Sequence, residues 1–441
     1  MGRRGTVLAG LVVGTLALAA CAGGGDRDLT VEPGGDPGEH GLHVGAGSRV
    51  PVSLADAAAA SSVVDATWRA GFLALRASDE TTGTVASPAS LVVALAMLAE
   101  GASGQSAAVF DEVLGASGDA RTDAVNALTT VLARDEGDPA AVQADELPEV
   151  PVVHVANQVV VDDDQTIAPP FLDRLVAAYG AGVLVTDLAT DTGTKDLDAW
   201  VNKHTGGLVE KSAITPDPQL VMVLQNAIAL AAAWEDPFAF EGTHDEPFTL
   251  ATGEQVSVPT MNRGGDRAYA ERDGWRALRL PYTSDLHADL ILPPEGSPEA
   301  GDPASADPAL VAALVADLDA ARPSRVLFSL PKLDLTSTLE LLPVLDAMGL
   351  GHLLDPDTAG LDGLLVDPPA PPYVGQAFQQ AVLKVDEEGT RAAAVTELGV
   401  EAGSAPVFDV ELFVDRPFLF VVGDGESGWP LLLASILDPR G

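Results

Sequence analysis

Small and polar residues alternate along a stretch near the C-terminus, and the alternation predicts a strand. Residues 381–385 precede it and are rich in apolar and β-branched side chains, which is typical of a strand. Counted at every second position, one face carries Thr390, Ala392, Ala394 and Thr396, while charged residues stand at both ends of the other face. Three consecutive alanines also permit a helix, because alanine is the best helix former. The alternation favours a strand that slips into a narrow gap.

Apolar residues recur at helical spacing in other segments. The clearest is 53–77, with Trp68, Phe72 and Leu75 on one face. Ser87 followed by a proline predicts a helix start before an apolar run. The remaining predicted elements are a strand over 152–161 and helices over 91–100, 170–179 and 197–205.

Composition narrows the classes of protein. The chain has 441 residues, 47% of them hydrophobic, which is enough for a large core. It carries 65 acidic and 24 basic residues, a net charge of −41. Nucleic acid is excluded as a partner, because its phosphates require lysine and arginine. The acidity indicates a generally acidic, soluble surface, with a dedicated site for a cationic partner as the alternative.

The N-terminus predicts export. Two arginines precede an apolar run over 7–20, too short for a stable membrane span, so residues 1–20 are interpreted as a signal peptide. Cys21 follows small residues, as in the lipobox that precedes lipid attachment in bacteria. A signal peptide cleaved elsewhere, with Cys21 there by chance, is the alternative. Residues 21–52 are rich in glycine, proline and acids and predict a flexible linker, followed by a folded domain over 53–441.

Several motifs, in order along the chain, resemble the serpins, a family of serine protease inhibitors. The run Glu-Glu-Gly-Thr-Arg-Ala-Ala-Ala over 387–394, followed later by Arg416-Pro417-Phe418, resembles the serpin hinge and reactive-centre loop. The other matching segments are Ser-Pro-Ala-Ser over 87–90, Trp-Val-Asn-Lys-His-Thr-Gly-Gly over 200–207, and the runs 224–234, 278–282, 290–293 and 327–332. The resemblance covers about residues 55–440.

The resemblance implies an α+β serpin fold. Its expected parts are a large central mixed or antiparallel β-sheet, two smaller sheets, helices packed around them, and an exposed reactive-centre loop at about 387–410. The implied hinge residues are Glu387, Glu388, Gly389, Thr390, Ala392, Ala393 and Ala394.

The resemblance also assigns roles beneath the central sheet. Ser87 and Ser90 match serines buried under the place where the sheet opens, and Asn226 matches a buried polar switch in the sheet. Trp234 matches the residue that plugs the site where the loop first enters. Gln379 stands where serpins commonly have a histidine that bonds the buried asparagine; its amide can also donate and accept.

The implied function is inhibition by a suicide substrate, so the chain is not expected to be an enzyme. Counting from the hinge places the cleaved bond near Gly403 and Ser404, with Ala402 and Val400 as further candidates. No lysine or arginine occurs between Ala392 and Asp415, which argues against a trypsin-like target. Small residues instead indicate a serine protease with a small apolar pocket, similar to elastase or subtilisin.

Two other functions remain open at this stage. A serpin that has lost inhibition would act as a surface binding or scaffold lipoprotein. A surface hydrolase lacks its signature, because no G-x-S-x-G occurs, and the G-x-G-x-x-G at 423–428 is interpreted as a hairpin turn. No cofactor or metal site is expected, since Cys21 is the single cysteine and the histidines are scattered. The expected protein is a monomer on the extracellular side of the cell membrane, anchored by lipid or secreted.

Overall fold

The computed structural model describes residues 41–78, 80–144, 146–390 and 407–441. All of them belong to one unit, Val31–Gly441. The described residues form eight α-helices: α1 (Ala60–Arg76), α2 (Pro88–Ala99), α3 (Gly104–Val113), α4 (Gly118–Leu132), α5 (Pro169–Tyr179), α6 (Asp191–His204), α7 (Pro308–Ala320) and α8 (Leu342–Ala347).

The strands of the described residues fall into three sheets. In chain order they are β1 (Leu42–His43), β2 (Gly83–Ala86), β3 (Val152–Asp162), β4 (Val183–Thr186), β5 (Met222–Ala233), β6 (Thr243–Thr249), β7 (Gln255–Arg267), β8 (Tyr269–Arg272), β9 (Trp275–Pro281), β10 (Leu286–Leu292), β11 (Ser324–Pro331), β12 (Leu333–Glu340), β13 (Gln376–Val385), β14 (Gly389–Thr390), β15 (Val410–Phe413), β16 (Phe418–Asp424) and β17 (Pro430–Ile436).

The large sheet has the strand order β1-β4-β3-β5-β14-β13-β12. Strands β5 and β13 run parallel and pair directly over only part of their length, Val223–Ala227 against Gln376–Gln380. The short strand β14 lies between them above this region, antiparallel to both. We call the boundary between β5 and β13 the seam.

The two smaller sheets complete the predicted architecture. Their strand orders are β2-β17-β16-β10-β9-β8 and β15-β11-β7-β6. Every residue of β16 and of β17 is buried, so the six-stranded sheet lies within the core. The expected α+β fold with one large and two smaller sheets is confirmed.

Helix α2 lies in the interior because its sequence is apolar on all sides. All twelve of its residues are buried, as expected for a helix without a polar face. Ser87 begins it by accepting a hydrogen bond on its hydroxyl from the N–H of Ser90, and Pro88 occupies the first turn. The helix start predicted at Ser87 is therefore confirmed, and it lies in the buried core.

Two predicted helices have different bounds in the structure. The segment predicted over 53–77 contains a separate 3-10 turn at Leu54–Asp56 before α1 begins at Ala60. Helix α6 begins at Asp191, six residues before its predicted start. Its first two turns are polar and carry no apolar period, while Thr190 caps them through the N–H of Thr192. The hairpin interpretation of 423–428 is confirmed, because β16 and β17 pair antiparallel across it.

Part of the predicted linker contacts the domain. Within residues 41–52, Leu42 pairs with Leu184 at the edge of the large sheet. Further along, the N–H of Val52 donates to the Asn126 Oδ1, and the Asn126 Nδ2 donates to the Val50 carbonyl, each at 2.9 Å. This buried amide, together with the Arg49 guanidinium, therefore fixes the segment against α4. None of the described helices is both long and apolar enough to cross a membrane.

The exchange Asn126→Ala should lower the free energy of unfolding by about 1–2 kcal/mol, since it leaves backbone groups on the 41–52 segment without partners. Urea unfolding followed by circular dichroism measures this. Asp123→Ala, an exposed change on the same helix, is the control. Equal midpoints for the two variants would contradict the role given to Asn126.

Candidate functional site

The chain reverses direction at the end of β13 through a tight turn. The Asp386 Oδ1 accepts hydrogen bonds from the N–H groups of Glu388 (2.9 Å) and Gly389 (3.3 Å). The Asp386 N–H in turn donates to the Gly389 carbonyl at 3.0 Å. An aspartate that bonds the backbone two residues later is a common turn former. The turn directs the next residues back into the same sheet.

The returning residues enter the seam. Gly389 pairs with Ala233, and Thr390 pairs with Ala232 of β5 on one side and Val385 of β13 on the other. A Cβ at position 389 would lie 2.1 Å from the Ala232 carbonyl oxygen, so only glycine fits without displacing β5. The hinge is therefore already docked in the sheet over two residues.

Thr390 is buried and its hydroxyl has a specific partner. The Oγ1 lies 2.5 Å from the hydroxyl oxygen of Tyr282, and both side chains are at most 2% exposed. The Tyr282 ring stacks on Trp234, with ring centroids 4.5 Å apart. Burial raises the pKa of the Tyr282 hydroxyl, so it stays protonated and can donate or accept.

Trp234 holds the turn by hydrogen bonds as well as by its ring. Its Nε1–H donates to the Asp386 carbonyl at 3.0 Å, and its backbone N–H donates to the Glu388 carbonyl at 2.8 Å. The N–H of Phe238 donates to the Glu387 carbonyl at 2.8 Å. Three consecutive carbonyls of the turn are therefore satisfied from one short segment after β5.

Glu387 anchors the same turn by its carboxylate. Its two oxygens lie 2.8 Å from the Lys332 Nζ and 2.8 Å from the Thr243 hydroxyl, which donates. Burial alone would raise the pKa of the Glu387 carboxyl, but the hydrogen bonds from Lys332 and Thr243 bring it below its ordinary value. We call Trp234, Thr243, Tyr282 and Lys332 the hinge seat.

A polar network lies farther down the seam, beneath the region where β5 and β13 still pair. The Gln379 amide exchanges two hydrogen bonds with the backbone of Ser87: its Oε1 accepts from the N–H at 2.8 Å, and its Nε2 donates to the carbonyl at 2.9 Å. The Ser87 hydroxyl donates to the Leu431 carbonyl at 2.8 Å. The start of α2 is thereby bound to β13 and β17.

A second branch of the network reaches β5. The Asn157 Oδ1 accepts from the Ser90 hydroxyl at 2.9 Å and from the Asn226 Nδ2 at 2.7 Å. The Asn226 Oδ1 is buried and has no hydrogen-bond partner among the residues described. Gln379 stands opposite Asn226 in the register, yet it bonds Ser87 instead of the asparagine, contrary to the sequence-based expectation. Both polar atoms of the Gln379 amide are directed to the Ser87 backbone.

The predicted site residues separate into two groups. The described ones at the hinge are Glu387, Glu388, Gly389, Thr390 and Trp234. The described ones in the polar network, lower in the seam, are Ser87, Ser90, Asn226 and Gln379. Those outside the described residues are Cys21, Ala392, Ala393, Ala394, Val400, Ala402, Gly403 and Ser404.

Sequence reasoning missed three members of the hinge seat. Tyr282 and Lys332 each end a recognised run, and Thr243 belongs to none. One feature of the sequence could have identified Lys332 as a candidate: it is a cation in a chain with few of them, and it directly follows the apolar and proline residues of β11. Within the described ranges, no group of three or more histidine, cysteine or acidic side chains is placed to hold a metal ion.

The exchange Tyr282→Phe should loosen the hinge, because the Thr390 hydroxyl then loses its partner in a buried position. A loss of about 1–2 kcal/mol is expected in local stability. Hydrogen exchange of a peptide covering 385–390 should accelerate about tenfold. Tyr373→Phe removes an exposed hydroxyl elsewhere and should leave this peptide unchanged. Identical exchange in both variants would show that the hydroxyl does not hold the hinge.

Comparison with known proteins gives one consistent result. A family model described as Serpin (serine protease inhibitor) matches residues 71–439. Serpin-Z2A of Triticum aestivum is 29% identical over 379 residues, covering 82% of this chain and 91% of the wheat protein. Serpin-Z1B of the same plant is 31% identical over 306 residues, covering 66% and 75%.

Solved structures agree on the fold. The native state of tengpin, a thermophilic serpin, matches with a TM-score of 0.75 at 24% identity, over 88% of this chain and 97% of tengpin. Arabidopsis AtSerpin1 in its native stressed conformation matches with a TM-score of 0.71 at 21% identity, over 87% and 99%. The chain belongs to the serpin family.

Proposed function

We propose that this serpin inhibits a serine protease as a suicide substrate, by cleavage of its reactive-centre loop and insertion of the loop as a new strand. The observation that carries the proposal is the docking of Gly389 and Thr390 in the seam. The first two residues of the strand that would insert are already paired with β5 and β13. Insertion would then extend an existing β-ladder, and no new strand pairing has to be started.

The sheet offers further partners below the docked residues. Residues 228–231 of β5 and 381–384 of β13 have no ladder partner across the seam within the described part of the chain. A strand that continued from Thr390 would bond both edges. Each ladder hydrogen bond contributes a net ~1 kcal/mol, and burial of small apolar side chains adds to it. This gain would drive insertion once cleavage frees the loop.

The chemistry belongs to the protease in this proposal. Its serine attacks a carbonyl of the loop, the amide bond breaks, and the acyl group stays on the protease through an ester. Insertion carries the acylated protease away from its working geometry before water completes hydrolysis. The serpin supplies substrate and driving force, so it is an inhibitor and not a catalyst.

The proposed target has a small, apolar specificity pocket. The candidate residues at the cleaved bond are Val400, Ala402, Gly403 and Ser404, all small or β-branched and uncharged. A pocket with a carboxylate at its base would select lysine or arginine instead. The non-inhibitory alternative has no comparable support, because the hinge positions Gly389, Thr390 and 392–394 carry the small residues that insertion requires.

We further propose that Cys21 is lipidated and anchors the chain at the extracellular side of the membrane. The support is the apolar run with small residues directly before Cys21. Residues 22–40 would then act as the tether, and the monomeric domain would meet proteases near the cell surface.

Incubation of the domain with pancreatic elastase and with subtilisin tests inhibition directly. A covalent complex that survives denaturing electrophoresis is expected, together with a small released peptide. The first residue of this peptide identifies the cleaved bond. Cleavage without a complex, and without any gain in thermal stability, would replace inhibition by the binding-protein alternative.

The exchange Thr390→Glu should convert the inhibitor into a substrate, because position 390 is enclosed in the seam beside Tyr282 and an unpaired carboxylate there would leave the ladder that insertion has to extend. The stoichiometry of inhibition should rise at least tenfold, measured by titrating active protease. Thr338→Glu places the same charge on an exposed position of β12 and should leave the stoichiometry near that of the unmodified chain. An unchanged stoichiometry for Thr390→Glu would refute the insertion step.

The exchange Cys21→Ser should abolish membrane attachment, since the hydroxyl of serine cannot accept the thioether-linked lipid. Expression in a bacterial host with labelled palmitate, followed by detergent phase separation, measures this. Label in the detergent phase is expected only for the unmodified chain. Equal partitioning of both proteins would contradict lipidation at Cys21.

A further inference from the structure

Helix α6 lies across the seam that an inserting strand would have to open. Its residues Trp200 and Val201 pack in one apolar cluster with Ala156 of β3, Ala227 of β5 and Val382 of β13. This cluster, which also includes Val209 just beyond the helix, therefore joins α6 to strands on both sides of the seam. It has to come apart before β5 and β13 can separate at this level.

The C-terminal end of α6 is fixed to the sheet by a pair of histidines. His204, the last residue of the helix, is 4% exposed, and its Nδ1 lies 2.7 Å from the Nε2 of His154 on β3. Its ring also packs on Trp200, with centroids 4.6 Å apart. The Nδ1 of His154 lies 2.5 Å from the Oε1 of Glu136. A chain of three side chains thus connects the helix end, the strand and a surface loop.

The pair has no stable place for a proton on His204. Glu136 accepts from the Nδ1–H of His154, so the Nε2 of His154 accepts from the Nδ1–H of His204. A further proton on His204 would have to sit on its Nε2. The Nε2 of His204 is buried and has no hydrogen-bond partner in the described structure, so no acceptor there stabilises a charged ring.

We propose that the His154–His204 pair is a pH-sensitive latch that holds α6 over the seam, and that acidification releases the helix and speeds loop insertion. The proposed release of α6 is based on the contacts and burial of the two histidines. The effect on insertion rests on the proposed inhibitory function.

The charged groups around the pair are few. Glu136 faces His154 from the loop before the 3-10 helix Pro139–Gln143, and Lys203 is the cation next to His204 on α6. Strand β5 and that 3-10 helix carry no titratable side chain, although Asp138 caps the 3-10 helix through the N–H of Ala140.

On β13, Lys384 pairs with Asp334 and so is engaged elsewhere. The only carboxylate in direct contact with the pair, among the residues described, is therefore Glu136 on the His154 side.

The direction of the pH effect follows from the environment of His204. Burial first, and then the neighbouring His154 and Lys203, lower the pKa of His204 to about 3. When α6 lifts, the imidazole regains an ordinary pKa of about 6.5. The lifted state then binds a proton that the docked state does not. Docking is favoured fully above about pH 6.5 and weakens below it, so the lifted fraction rises about tenfold from pH 7.5 to pH 5.5.

Hydrogen exchange of the intact chain tests the latch. Protection factors for a peptide covering 195–207, corrected for intrinsic exchange, should fall about tenfold between pH 7.5 and pH 5.5. His204→Gln keeps an amide donor but has no titrating ring, and its protection should change less than twofold. His244→Gln alters an exposed histidine on β6 and should retain the tenfold change. A pH-independent result for the unmodified chain would overturn the proposal.

A second measurement uses only the unmodified chain, so its result does not depend on whether a variant folds. In the unmodified chain with labelled histidine rings, the imidazole with nuclear Overhauser contacts to Trp200 should show no titration between pH 7.5 and pH 5.5. A midpoint near 6.5 for that ring would overturn the latch.

The rate of complex formation with elastase then separates the two proposals. Relative to His204→Gln, the unmodified chain should gain about tenfold in rate between pH 7.5 and pH 5.5. Complexes with no such gain, alongside pH-independent exchange, would reject the latch and leave inhibition intact. Absence of any complex, alongside pH-dependent exchange, would reject inhibition and leave the latch.

Discussion

The docking of Gly389 and Thr390 between β5 and β13 is the constraint on which the rest of the structure depends. It requires a glycine where a Cβ would meet the Ala232 carbonyl, and a small side chain where Tyr282 closes the seam. The turn before it has its carbonyls satisfied by Trp234 and Phe238. Because the carbonyls of this turn and the Thr390 hydroxyl are paired, the hinge is fixed in the sheet without further insertion.

The seam below the hinge is held by fewer specific contacts. In the polar network, Gln379 is engaged with Ser87, and the Asn226 Oδ1 is left without a partner among the described residues. An unpaired buried oxygen costs on the order of 1–3 kcal/mol. Directly above it, the facing edges of β5 and β13 have no ladder partner across the seam among the described residues. A longer β14 would supply hydrogen-bond partners to both edges.

Sequence reasoning reached the parts of this site that local patterns encode. Gly389, Trp234 and the cap at Ser87 lie in runs whose order and periodicity are visible in the chain. The contact of Thr390 with Tyr282 joins residues 108 positions apart, and a pattern of neighbouring residues cannot predict such a pair. The contact of residues 41–52 with α4 was missed for a related reason: its hydrogen bonds join the Asn126 amide and the Arg49 guanidinium to groups 74 to 80 positions away.

The hinge seat and α6 act at different levels of the same seam, which determines how each can control insertion. The hinge seat holds the first two residues of the new strand and uses neutral or paired groups, so moderate changes of pH leave it intact. Helix α6 lies lower and is tied to β3 by a histidine pair in which the described residues offer no acceptor for a proton on the His204 Nε2. In the proposed insertion, the strand reaches α6 only after it extends beyond the hinge seat, where its first two residues stay docked. A proton on the latch would therefore act on the later step and would change how fast the sheet opens without changing where the strand begins.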